Sequence, residues 1–468
     1  MAVCREARKS RDPRFDGRFF VGVLTTGVYC RPICPARMPA EDNVRYYSSA
    51  AAAQDAGYRP CRRCRPEASL NLPEWTLASE TVMRGLRLIE AGYLNDHSTS
   101  ELGQSLEVGE RQLTRLFNQE LGTSPASLAR IVRAKLARGL LAGSSMPAAQ
   151  VAYHAGYGSV SRFNHEVRKI FQCTPSELRG KPGNRDKSVA RITLPVRPPY
   201  NFDWVFGYLQ KRALDGVEEV TGGPGEWCYR RLVDAGAAAE CVEVKLQDGE
   251  LHAYLPLVDE PLHSLIHRVR RVFDLNADGE TLHDFLASDE QLGEWVLRAP
   301  GLRVPGAWDG FETAVRAVLG QQVSVARGTD LANHMIARYG AGRFPSPAQL
   351  LNRDVAELGM PGRRGRAVTK LAQATVAGEL TVDDGQDFDR LQAQLESLEG
   401  IGPWTANYIR MRALKDPDAF PDNDWVVLKE LNCSPAQARR HAEQWRPWRA
   451  YALMYLWYAA GCKRAAKG

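Results

Sequence analysis

Four cysteines near the N-terminus, Cys30, Cys34, Cys61 and Cys64, have the spacing of a metal site. They stand as C-x3-C, 26 intervening residues, then C-x2-C. Two close pairs across a loop can supply four thiolates to a tetrahedral zinc ion. The flanks, Cys30-Arg31-Pro32 and Arg59-Pro60-Cys61-Arg62-Arg63-Cys64-Arg65, are rich in arginine. A purely structural site has no need of that charge, whereas a site that approaches phosphates does. On coordination chemistry alone, a closed four-thiolate set is structural. Cys4, Cys173, Cys228, Cys241, Cys433 and Cys462 show no ligand spacing and read as core or surface thiols.

A second constellation lies in the C-terminal third. Leu398-Glu399-Gly400-Ile401-Gly402-Pro403-Trp404-Thr405-Ala406 reads as a helix-hairpin-helix. Its glycines permit a tight turn that aims backbone N–H groups at a phosphate, which nominates Gly400 and Gly402 as phosphate contacts. Tyr408 follows Trp404 by four residues, so the two rings share a helical face. Two carboxylates come next, Asp422 and Asp424. Asp424 precedes Trp425-Val426-Val427-Leu428 and could equally serve as a helix cap.

The elements that must hold these residues divide into segments. A chain of 468 residues should form several domains. It is 44% hydrophobic and 25% charged, as globular proteins are, which excludes a disordered or fibrous class. No run of 18 apolar residues occurs and the N-terminus lacks an apolar signal core, so a cytoplasmic protein without membrane contact is expected. In that reducing compartment the clustered cysteines are metal ligands rather than disulfides. Residues 1–188 hold 28 Lys and Arg against 18 Asp and Glu, and the remainder 33 against 37. The basic portion points to a polyanion partner.

Residues 1–74 carry short β-like runs such as Phe19–Leu24. Residues 75–180 read as all-helical, with an internal repeat. Leu113-Thr114-Arg115-Leu116-Phe117 before Gly122-Thr123-Ser124-Pro125 is echoed by Phe163-Asn164-His165-Glu166-Val167 before Gln172-Cys173-Thr174-Pro175. A helix and turn precede each copy, which is helix-turn-helix punctuation twice over. Candidate base-reading side chains are Arg111, Gln112 and Arg115, then Ser159, Ser161, Arg162 and His165; each could instead contact a phosphate. Residues 181–188 form a polar linker marked by Pro and Gly. Residues 189–300 show mixed α/β patterning and 301–468 are mostly helical.

Three resemblances follow. Residues 12–67 resemble the Ada-type N-terminal domain, through Thr25-Thr26-Gly27-Val28-Tyr29-Cys30-Arg31-Pro32, Asn43-Val44 with Tyr46-Tyr47, and Gly57-Tyr58-Arg59-Pro60-Cys61. That resemblance implies one zinc ion on the four cysteines and makes Cys30 a nucleophile that keeps the methyl group of a DNA methylphosphotriester. Zinc keeps a ligating thiol ionised, and the thiolate is the reactive form. Residues 75–180 resemble the AraC-type double helix-turn-helix, which implies a promoter site in double-stranded DNA and RNA polymerase as a partner of a monomeric activator. Residues 190–462 resemble AlkA-type DNA-3-methyladenine glycosylases, built of an α/β subdomain and an all-α helix-hairpin-helix domain.

The glycosylase resemblance implies Asp424 as the catalytic carboxylate, with Asp422 the alternative. It implies an aromatic base pocket of Trp404, Tyr408 and Trp457, and no cofactor. A cationic alkylated base stacks well on such rings. Gln322, in Gly320-Gln321-Gln322-Val323-Ser324, falls at the wedge that fills the gap left by the extruded base. Trp404 stands where strand-cleaving relatives carry a Schiff-base lysine, so a monofunctional glycosylase is expected. No Pro-Cys-His-Arg motif occurs, so O6-methylguanine repair is not expected. Two other readings stay open: a regulator with an inactive glycosylase, and a repair enzyme whose N-terminal half only targets DNA.

Overall fold

The computed structural model describes residues 2–12, 15–64, 66, 79–179, 189–235 and 238–466. The 74/75 boundary and the linker 181–188 lie outside the described residues. The chain forms two compact units. The first comprises residues 1–196, 234–238 and 250–267; the second comprises 197–233, 239–249 and 268–468. Among the described residues no helix is long and apolar enough to cross a membrane.

The first unit begins with a four-stranded sheet in the order β3-β1-β2-β4. Strand β1 (Phe20–Val23) pairs antiparallel with β2 (Val28–Cys30) and β3 (Val44–Tyr47), and β2 pairs parallel with β4 (Arg59–Pro60). This register sets Tyr29 opposite Pro60, so the residues that follow, Cys30 at the end of β2 and Cys61 just past β4, come side by side. The Cys61 N–H donates to the Tyr29 carbonyl at 3.0 Å, which fixes that exit. Helix Ala50–Asp55, capped by Ser49, lays Ala50 and Ala53 on the buried rings of Phe20 and Tyr29.

The helical part of this unit is built from two similar halves around the long helix Pro125–Gly143. In the first half, helix Thr99–Ser105 starts from a reciprocal capping box of Ser98 and Glu101 and leads to helix Glu110–Leu121. In the second, helix Ala148–His154 leads to helix Val160–Phe171, capped by Ser159. Each second helix buries one apolar stripe: Leu113, Phe117 and Leu121, then Phe163, Val167 and Phe171. Each fully buried Leu or Phe contributes about 1.5–3 kcal/mol. Asp55, at the end of its helix, accepts hydrogen bonds from Thr123 (3.1 Å) and Ser127 (2.9 Å), which ties the small sheet to the start of Pro125–Gly143. Strands β5 (Val189–Leu194) and β9 (Glu250–Pro256) pair antiparallel, Ala190 opposite Leu255.

The second unit contains β6 (Glu218–Gly223), paired antiparallel with β7 (Glu226–Ala235), most of β7 itself, most of β8 (Ala238–Gln247), and a helical array. Val315, Val318, Leu371, Leu395 and Ile409 form the centre of its core. Burying charge is costly unless it is paired. Arg231 meets that condition with Glu218 at 2.9 Å and Glu312 at 2.5 Å, and Arg316 reaches both carboxylates. Helices Phe388–Glu396 and Pro403–Ala413 flank the glycine turn.

Candidate metal centre, DNA-reading helices and active-site cleft

The sulfurs of Cys30, Cys34, Cys61 and Cys64 all lie within 4.8 Å of one another. Tetrahedral zinc with Zn–S bonds of about 2.3 Å places its sulfurs about 3.8 Å apart, so the cluster fits one zinc ion. The protonation chemistry fits too. Hydrogen bonds from Cys30 and Cys64 hold the Cys34 thiol low, and those with Cys34 and Cys64 push Cys30 up, so these thiols do not ionise independently. Cys61 and Cys64 are buried, whereas Cys30 and Cys34 are partly exposed, so only the latter two can meet a large substrate. Arg31 braces the site. Its backbone N–H donates to Cys64 Sγ at 3.4 Å, and its guanidinium donates to Asp16 and to the Cys64 carbonyl.

On the two helix-turn-helix copies, Arg111, Gln112 and Arg115 are exposed, as are Ser159, Ser161, Arg162 and His165. They lie opposite the buried stripes of their helices. Two of them have local duties. The Ser159 hydroxyl accepts from the Arg162 N–H as the helix cap, and the Arg162 guanidinium donates to Glu166 at 3.0 Å.

In the second unit, Trp404, Tyr408, Trp457 and Asp424 line a single cleft of about 1060 Å³. Asp424 is buried and caps helix Trp425–Leu431. Its Oδ1 accepts from the backbone N–H groups of Val426 (3.0 Å) and Val427 (3.1 Å), and from the Trp457 indole at 3.3 Å. Its Oδ2 accepts from the Trp404 indole at 2.8 Å. Capping and placement in the cleft are therefore properties of the same side chain. Asp422 instead pairs with Arg439 at 2.5 Å and does not line the cleft. Trp404 stacks on Tyr408, with centroids 5.3 Å apart and planes 14° from parallel.

Sequence reasoning missed several cleft residues: Trp204, Tyr208, Arg212, Arg412 and the exposed Trp425. Trp204 and Tyr208 are four apart on helix Phe202–Gln210, an aromatic pair on one face that could have been noticed. Gln322 is exposed in the turn between helices Gly310–Leu319 and Val325–Met335, with φ +54°. Its neighbour Gln321 donates to the Gly400 carbonyl and the Thr405 hydroxyl, both at 2.9 Å, so this turn and the glycine hairpin are joined.

Gly400 has φ +90°, and a Cβ there would stand 2.8 Å from Ala367 Cβ. Both strain terms act at once, so Gly400→Ala is expected to destabilise the fold by about 1–3 kcal/mol. Urea unfolding measures this, and duplex affinity should fall with it.

Comparison with known proteins adds to this geometry. Residues 3–67 match the metal binding domain of Ada, 102–181 a helix-turn-helix domain, and 191–309 the AlkA N-terminal domain. A Mycobacterium tuberculosis (strain H37Rv) protein named as a probable bifunctional transcriptional activator/DNA repair enzyme AlkA is 40% identical over 477 residues. The alignment covers 97% of this chain and 95% of that protein. The chain belongs to this bifunctional AlkA family. Members of other families cover its halves separately. Escherichia coli K12 DNA-3-methyladenine glycosylase 2 is 34% identical over 58% of this chain and 97% of its own length. The E. coli K12 bifunctional activator/repair enzyme Ada is 31% identical over 36% of this chain and 46% of its own. In the family member described here, the four cysteines fall within the Ada-type match.

Proposed function

We propose that this chain removes alkylated bases from DNA and also senses DNA methylation through Cys30. The observation that carries the glycosylase reading is Asp424, held in an aromatic cleft by two indole and two backbone N–H groups. Those donors keep the carboxylate fixed, with its negative charge beside the stacked Trp404 and Tyr408. As the C1′–N bond of an extruded nucleotide breaks, positive charge grows on the sugar, and a preorganised carboxylate stabilises it. The alkylated base departs neutral with the bonding electron pair, water adds to C1′ and gives its proton to the Asp424 carboxylate and from there to solvent, and an abasic site remains. Alkylation at N3 or N7 makes a purine cationic, so it both leaves readily and stacks well on the rings. The hairpin at Gly400 and Gly402 grips a backbone phosphate, and Gln322 fills the vacated stack. With Trp404 in place of a Schiff-base lysine, the strand is not cut. Pure protein with methylated duplex should release 3-methyladenine and leave strands that break only after alkali. Breakage without alkali would overturn the monofunctional assignment.

In the small domain, Cys30, Cys34, Cys61 and Cys64 would hold the zinc ion, which would keep the ligating thiols ionised. Cys30 attacks the methyl carbon of a phosphotriester: the S–C bond forms, the C–O bond breaks and a phosphodiester leaves. Methylation removes one negative charge beside the arginines, which eases approach to DNA. A chain of contacts runs from this site toward the reading helices. Tyr29, next to Cys30, accepts from Gln54 at 2.9 Å, and the adjacent Asp55 holds Thr123 and Ser127. Two tandem reading helices in one chain engage successive major-groove segments without a dimer partner. The protein accordingly acts as a cytoplasmic monomer that recruits RNA polymerase when methylated. Arg115→Ala is expected to weaken binding to a site selected from random duplexes by about 1–3 kcal/mol and to relax base preference at one position. Uniform weakening on all sequences would make Arg115 a phosphate contact.

A further inference from the structure

One end of the cleft is chemically unlike the rest. Tyr208 and Tyr408 meet hydroxyl to hydroxyl at 3.0 Å. Two hydroxyls bonded to each other use one hydrogen and leave the second to be donated elsewhere. Two guanidinium groups crowd this pair. Arg212 lies 3.6 Å and Arg412 4.3 Å from the Tyr208 ring centroid, and Arg412 is 5.8 Å from that of Tyr408. Arg412 is buried, and its Nη1 has no hydrogen-bond partner among the described residues. An unpaired buried donor of this kind is costly in a folded protein. Burial pushes Tyr208 up to about 12. Burial raises Tyr408 as well, but Arg412 and Arg212 outweigh it and hold that phenol below its ordinary value. Tyr408 is the more exposed of the two and the better donor.

The spare hydrogen of the tyrosine pair and the two guanidinium groups therefore give this end of the cleft hydrogen-bond donors and positive charge. Resting on the glycosylase reading, we propose that the Tyr408–Tyr208 pair, backed by Arg412, reads an acceptor on the extruded base. The ligand that fits is a purine lesion with a carbonyl oxygen at C6. A lesion with an amine at that edge brings donor against donor and gains only stacking on Trp404. Tyr408 touches the base, and Tyr208 is a positioning residue that orients its hydroxyl.

Methylated duplex DNA supplies the test, because 3-methylguanine and 3-methyladenine are alkylated at the same nitrogen and differ in the C6 group and in the amine that guanine carries at C2. The full chain, Tyr408→Phe and Tyr208→Phe are compared for both released bases by chromatography. Tyr408→Phe keeps the stacked ring and should lower the 3-methylguanine to 3-methyladenine ratio roughly fivefold, the loss of one neutral hydrogen bond. Tyr208→Phe should lower it less. Far-UV circular dichroism and a cooperative urea transition report that each variant has folded. A ratio unchanged in both variants overturns the proposal while leaving the glycosylase reading intact. Release of neither base by the unaltered protein overturns the glycosylase reading instead.

Discussion

Asp424→Asn lowers single-turnover release of 3-methyladenine on the order of 10²–10³-fold, the usual cost of removing one preorganised electrostatic group. The fold should survive. Asparagine caps helices about as well as aspartate, so Val426 and Val427 keep an acceptor. The second amide atom then faces the Trp404 indole, donor against donor, where Oδ2 now accepts at 2.8 Å. That mismatch costs about 1–3 kcal/mol of stability, well short of unfolding a protein of this size. Duplex affinity, which the proposed hairpin contacts would set, should stay within a few-fold. Asp422→Asn is the matched control. Asp422 pairs with the exposed Arg439 outside the cleft, so base release should be unchanged. Equal release by Asp424→Asn and the unaltered protein would remove Asp424 from the chemistry.

Cys30→Ala abolishes methyl transfer from phosphotriesters and lowers zinc affinity by roughly 10²-fold or more. Structural zinc binding is worth about 10–16 kcal/mol spread over four ligands, so losing one removes a substantial share. Peptide mapping after reaction with labelled methylphosphotriester DNA distinguishes Cys30 from its partly exposed neighbour Cys34. Label on Cys34 in the variant would reassign the nucleophile. Base release should be indifferent to this substitution, because the cleft residues lie in the other unit.

How much of this was legible depended on distance along the chain. The four cysteines form two local pairs, and the β2–β4 register that brings those pairs together follows from short runs. The helix-turn-helix copies announce themselves through the repeat of Leu113-Thr114-Arg115-Leu116-Phe117 before Gly122-Thr123-Ser124-Pro125 in Phe163-Asn164-His165-Glu166-Val167 before Gln172-Cys173-Thr174-Pro175. Asp424 sits 20 residues past Trp404, close enough for one hairpin motif to carry both. Tyr208 is different. It is 200 residues from Tyr408, and nothing local marks its hydroxyl as anything but an aromatic side chain on an apolar helix. Nothing in the sequence singles out Arg212 and Arg412, because cation–π stacking in a cleft has no periodicity to betray it. The compact units were also illegible: β5 and β9 group with the N-terminal residues although β6 and most of β7 and β8 do not.

The most direct test of two chemistries in one chain incubates the pure, zinc-loaded protein with duplex DNA carrying labelled methyl groups. Protein-bound methyl and released bases are followed in the same reaction. Label on the protein should saturate at a single methyl on Cys30, while 3-methyladenine release continues through many turnovers. Continued base release with no label on the protein, or label with no base release, would contradict the account.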